Sequence, residues 1–132
     1  MLWGFKFFAF FKGYGNAIYA QVIPVPNHFL GQHNPKKVRM LEVTGDFMSK
    51  IHLNSGDLVF FIDDDSQSDG CLYVIGIDDK LFVKKLEFDV LQHEIRIISE
   101  NDRYETKIEK GEDMNRLRIT GKVIAWITRH PY

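Results

Sequence analysis

Residues 72–88, LYVIGIDDKLFVKKLEF, contain two apolar runs separated by a polar turn. Branched and aromatic side chains fill both runs, and Asp78-Asp79-Lys80 lies between them, which predicts a β-hairpin with strands at 72–77 and 81–88. The same pattern of short apolar runs and turn residues predicts further strands at 18–25, 38–44, 58–62, 94–99 and 119–128. Long helical periodicity is absent. The sequence therefore predicts a mainly β domain whose short strands form a barrel or a folded pair of sheets.

Two shorter stretches carry local expectations. Residues 47–52 are predicted to form one short helical turn between strands. In the last strand, simple alternation places Val123, Ala125 and Ile127 on one face.

Composition limits the classes of function. The chain has 132 residues, 45% of them hydrophobic and 27% charged, with a formal net charge of −1. This length suits one domain, and the charge offers no basic field for nucleic-acid binding by this chain alone. The single cysteine, Cys71, fits a reducing compartment, so a cytoplasmic location is expected. Five histidines show no zinc-ligand spacing, and no metal or other cofactor is predicted.

The first eleven residues, MLWGFKFFAFF, contain five phenylalanines. The run is shorter than the ~20 apolar residues of a membrane-spanning helix and is interrupted by Lys6, so no membrane association is predicted. As a strand, the segment would be apolar on both faces, which favours a place in a cleft or at a dimer contact.

Three blocks in order then identify a family. The first is VTGDFM at 43–48 with SGDLV at 55–59, and the second is LFVKKL at 81–86. The third is IISEN at 97–101, continued by Tyr104 and by ITGKVI at 119–124. Together they resemble the C-terminal domain of LexA, of phage repressors and of UmuD. The resemblance runs from about Gly13 to Trp126 and implies a LexA/signal-peptidase-like fold. It divides the chain into an N-terminal segment, residues 1–12, equivalent to the family's linker and cleavage segment, and a domain at 13–132.

The resemblance implies the chemistry of a self-cleaving Ser-Lys peptidase. The family's general-base lysine matches Lys84, whereas the position of its nucleophilic serine, directly after Gly-Asp, is Phe47. A phenyl ring has no nucleophilic atom, so the reaction cannot run through that position. The family's scissile pair matches Lys12-Gly13, and a long cation fits poorly in a pocket shaped for Ala or Cys. Both departures predict a loss of self-cleavage.

The resulting expectation is an inactive LexA-like domain, a pseudoenzyme that acts in dimerisation and transcription regulation. It would be the C-terminal domain of a phage-type repressor or a free-standing UmuD-like module. The expected partners are a second copy of the chain, a RecA-type or antirepressor protein as in an SOS response, and DNA only through a separate helix-turn-helix domain. The alternatives are an active Ser-Lys peptidase and a signal peptidase relative. Ser49 is a poor substitute nucleophile, because two positions along a helical turn rotate its side chain by about 200° from position 47.

Overall fold

The computed structural model describes residues 3–12, 18–26, 29–34, 37–46, 48–78 and 80–128. The described chain contains nine strands and two 3₁₀ turns, at Ser49–Ile51 and Gly111–Arg116. The strands are β1 (Trp3–Lys12), β2 (Ile18–Pro26), β3 (Val38–Glu42), β4 (Leu58–Ile62), β5 (Cys71–Ile77), β6 (Lys80–Asp89), β7 (Glu94–Ile98), β8 (Lys107–Lys110) and β9 (Leu117–Ile127). The predicted mainly β class is confirmed, and the short turn predicted at 47–52 is present as the first of the two 3₁₀ turns.

The strands form one sheet in the order β2-β1-β3-β4-β9-β5-β6-β7-β8. The hairpin predicted at 72–88 is the β5–β6 pair. Seven strands, β3 to β9, pair antiparallel with their neighbours, and β1 joins β3 in parallel where Phe10–Lys12 face Met40–Glu42. Within the described ranges the sheet is folded and is not closed into a barrel, since β2 and β8 form its two ends.

The last strand lies at the centre of this sheet. β9 pairs with β4 on one side and with β5 on the other, and each pairing contains a register shift. Phe60 faces Ala125 while Phe61 faces Val123, so Ile124 is an extra residue in the ladder. This bulge reverses the alternation of side chains. Val123 therefore packs in a different cluster from Ala125 and Ile127, and the prediction that all three share one face is wrong.

Both faces of the sheet are buried near β3 and β4. On one face Leu41, Val59 and Phe61 pack together, and on the other Met40 and Phe60 pack together. Each fully buried side chain of this size contributes roughly 1.5–3 kcal/mol to folding. A third cluster, centred on Tyr73, Ile75, Leu86, Ile95 and Ile97, joins β5, β6 and β7. The strand that carries Lys84 is thus fixed on both sides by apolar packing.

Candidate functional site

Lys84 lies in the middle of β6, between β5 and β7. Its backbone faces Tyr73 on β5, and the neighbouring Lys85 faces Ile98 on β7. The side chain is 7% exposed, which is unusual for a lysine. Its ammonium lies 5.8 Å from the centroid of the Phe82 ring, two residues away on the same face of the strand. Lys84 is buried because the apolar residues around it in the strand pack into the core and carry the lysine with them.

The Lys84 side chain is held by a serine. Its Nζ donates a hydrogen bond to Ser99 Oγ at 2.6 Å. Ser99 directly follows β7, and the Lys85–Ile98 register brings it beside Lys84. Sequence reasoning placed Ser99 within the third family block but gave it no role. The available signal was the pairing of consecutive strands, which places the residue after Ile98 beside the residue before Lys85.

The surroundings of Lys84 disfavour its charge. Burial is the main cause and the positive charge of Lys107 the second, and together they lower the Lys84 pKa from 10.5 to about 8. Part of the amine is therefore neutral at mildly alkaline pH, which is the state that a general base requires.

The segment around the Gly-Asp motif lies against residues that follow Ser99. Gly45 has a φ of 86°, a left-handed conformation that favours glycine, and it turns the chain out of β3. The Asn101 side chain donates to the backbone oxygen of Asp46 at 2.6 Å. On the other side of position 47, the backbone N–H of Glu100 donates to the sulfur of Met48 at 3.3 Å. Both neighbours of position 47 thus contact the strand end that carries Ser99.

The Asp46 carboxylate is held by the same segment. It accepts hydrogen bonds from the Tyr104 hydroxyl and from Arg103, the latter at 3.4 Å. The hydrogen bond from Tyr104 is the main cause that lowers the Asp46 pKa below its usual value; burial opposes it, and the Arg103 charge lowers the pKa further. These contacts fix the bend at Gly45 and Asp46.

The remaining predicted site residues are only partly described. Phe47 and Gly13 lie outside the described residues, and so does the Lys12 side chain. The Lys12 backbone ends β1 and faces Glu42 on β3. Ser49, the substitute nucleophile considered above, lies in a 3₁₀ turn, where its Oγ accepts a hydrogen bond from Asn101 at 3.1 Å.

Lys84 and Ser99 line an open groove of about 700 Å³. One wall is β6, with Lys80, Phe82 and Lys84 on one face of the strand. The opposite wall is residues 103–107, which lead into β8. The groove therefore gives a bound chain access to the Lys84–Ser99 pair.

Two kinds of site are absent from the part of the chain that the structure describes. It contains no group of three or more His, Cys, Asp or Glu side chains that could hold a metal ion. It also contains no helix that is long and apolar enough to cross a membrane.

Comparison with known proteins gives one family. The sequence matches the family model described as Peptidase S24-like over residues 9–124. No individual curated protein matches the chain. The matched range contains Lys84, Ser99 and the Gly-Asp motif, and it ends within β9.

Proposed function

The chain belongs to the Peptidase S24-like family, and we propose that it is a catalytically inactive member of that family. The membership confirms the resemblance to the LexA and UmuD domain. In this proposal the domain acts by self-association and regulation. It serves either as the C-terminal domain of a phage-type repressor or as a free-standing UmuD-like module.

One observation carries the proposal. The residue between Asp46 and Met48, where the family has its nucleophilic serine, is Phe47. The buried amine of Lys84 is retained, with its pKa lowered to about 8 mainly by burial. A general base without the nucleophile it activates cannot begin acyl transfer. The Lys12-Gly13 pair at the position of the family's cut supports the same conclusion, because a lysine side chain is longer than the Ala or Cys that the pocket accepts.

The regulatory half of the proposal rests on dimerisation. Two apolar side chains that β9 places on one face of the sheet, Ile124 and Ile127, are only partly buried although the strand lies at the centre of the sheet. A second copy packed on this face would cover them. Two linked copies would raise the effective concentration of two DNA-binding heads at paired half-sites, with DNA contacted only by separate helix-turn-helix domains. A RecA-type or antirepressor protein is the proposed regulatory partner.

A second candidate function is an active Ser-Lys peptidase, and the Lys84–Ser99 contact favours it. The hydroxyl of Ser99 is 2.6 Å from the amine, within reach of proton transfer. In that case Ser99 would attack in place of the missing serine. The first candidate is preferred because Ser99 lies at a different place in the chain from the family's nucleophile.

Self-cleavage separates the two candidates. Purified protein is incubated between pH 7 and pH 10, and its intact mass is followed by mass spectrometry. The proposal expects no cleavage near Gly13 in the wild type and expects Phe47→Ser combined with Lys12→Ala to increase self-cleavage at high pH. Lys84→Ala in the same double variant should abolish the gain, since the amine is then absent.

The contrary result is equally specific. A wild-type fragment that disappears in Lys84→Ala and Ser99→Ala, but persists in Ser49→Ala, would establish the active peptidase and overturn the inactive assignment.

A further inference from the structure

The groove beside Lys84 carries an excess of positive charge. Among its described lining residues five are basic and two are acidic, although the whole chain has a net charge of −1. The basic residues are Lys80, Lys84, Arg103, Lys107 and Arg116. Such a local excess attracts anions and raises their concentration at the groove.

Two of these cations are already held in ion pairs, and a third, Lys84, donates a hydrogen bond to Ser99. Arg116 forms an ion pair with Asp78, and Arg103 forms one with Asp46 at 3.4 Å. Lys80 and Lys107 are exposed, and neither forms an ion pair with another of the described residues. The positive charge of Lys107 also disfavours the charge on Lys84, so the two lysines repel each other across the groove. A bound anion would relieve that repulsion.

The spacing of the wall on β6 indicates the shape of the ligand. Lys80, Phe82 and Lys84 alternate along the strand, so they project from one face at intervals of about 6.6 Å. Alternate side chains of an extended peptide have the same spacing. A carboxylate, an apolar side chain and a second carboxylate on one face of such a peptide would match the lysine, the phenyl ring and the second lysine.

We propose that this groove binds an extended acidic segment of a partner protein, with two carboxylates at alternate positions on either side of an apolar side chain. The proposal gives the chemical class of the partner in the regulatory role proposed above, and it rests on that role. A peptide is favoured over a nucleic acid because the basic residues line one groove that also has apolar lining at Phe82 and Ile97. A nucleic acid requires a broader basic surface.

Peptide binding by the full chain tests the proposal. The probe is a fluorescent seven-residue peptide, Gly-Glu-Ser-Leu-Ser-Glu-Gly, followed by fluorescence polarisation at low and physiological salt. One control replaces both glutamates by glutamine. A second control, Gly-Ser-Glu-Leu-Glu-Ser-Gly, has the same composition but moves both acids to the other face of the peptide. We expect each control to bind about tenfold more weakly than the probe, since each loses two charge pairs. The binding of the probe should also weaken as salt increases.

Charge reversal locates the site. Lys107→Glu and Lys80→Glu should each weaken binding of the probe about tenfold. Lys110→Glu is the matched control, because Lys110 is an exposed lysine on the same strand as Lys107 but not on the groove. Circular dichroism verifies that each variant is folded.

Several outcomes would overturn the proposal. These are equal binding of the glutamine peptide, equal binding of the register control, or an effect of Lys110→Glu as large as that of Lys107→Glu. Tighter binding of a single-stranded oligonucleotide that is also lost in Lys107→Glu would assign the groove to nucleic acid instead. The self-cleavage assay is independent of these readouts. Absence of peptide binding in an uncleaved protein would remove the groove assignment alone, whereas wild-type cleavage would remove the proposed function.

Discussion

Lys84 occupies a place where its own charge is unfavourable. Its pKa falls from 10.5 in the unfolded chain to about 8 in the folded one, mainly through burial. Between these values the unfolded state binds more protons than the folded state, so the contribution of Lys84 to folding stability rises with pH. Below pH 8 both states carry the charge, and the folded state then bears the whole cost of burying it, on the order of 3 kcal/mol.

The variant Lys84→Met measures this cost directly. Methionine is of similar length and uncharged, so the variant should be more stable than the wild type at pH 7 by about 1–2 kcal/mol, after allowance for the lost hydrogen bond to Ser99. The advantage should shrink between pH 8 and pH 10.5, as the wild-type amine loses its proton. Urea denaturation at several pH values gives the free energies of unfolding. A difference that stays constant across this range would contradict the lowered pKa.

The role of Lys84 could be predicted from the sequence, but its contacts could not. The sequence predicts that Lys84 lies in an apolar strand, and the family resemblance gives it the general-base role. The hydrogen bond to Ser99 depends on the register between β6 and β7, which is set by packing of side chains distant in sequence. The groove was not foreseen, because its opposite wall comes from residues 103–107, which have no apolar pattern.

The close pairing of β9 with β4 requires a glycine at position 121. A methyl group on Gly121 would lie 2.6 Å from Cδ2 of Phe61 and closer still to the backbone oxygen of Ile62. Gly121→Ala should therefore lower the free energy of unfolding by about 2–4 kcal/mol, because backbone and a buried ring must both move. Gly76→Ala on β5 is the matched control, since its methyl group would lie 3.7 Å from Leu81 in ordinary contact. Thermal and urea unfolding of both variants provide the measurement, and equal stability would contradict the close approach.

Element prediction succeeded where apolar residues are frequent and failed where the sequence is polar or a ladder is irregular. The strand at 58–62 was predicted with the observed bounds, since five consecutive apolar residues follow a turn. β8 was not predicted, because Lys107, Glu109 and Lys110 give it a polar sequence and it lies at the end of the sheet. The bulge at Ile124 was also missed, because an extra residue in a ladder leaves no mark on composition.

For the whole molecule, the central strand leaves apolar surface uncovered. Both edges of β9 are paired within the chain, so a partner copy must pack against its face rather than extend the sheet through it. The bulge at Ile124 turns this side chain out of the regular alternation, and Ile124 remains partly exposed. We expect the chain to be a dimer in solution through this face, as the proposed regulatory role requires.

Light scattering coupled to size-exclusion chromatography tests the dimer over a range of concentrations. Ile124→Gln should raise the dimer dissociation constant about tenfold, since it replaces an apolar contact by a polar side chain that the interface must desolvate. Arg118→Gln is the control on the same strand, because Arg118 is exposed and is not one of the apolar side chains of β9. Far-UV circular dichroism confirms that Ile124→Gln is folded. A wild-type chain that remains monomeric at the highest concentration would reject the dimer, and equal effects of both variants would reject this face. If Ile124→Gln alone dissociates the dimer, the half-buried state of β9 follows from its place at the interface between two copies.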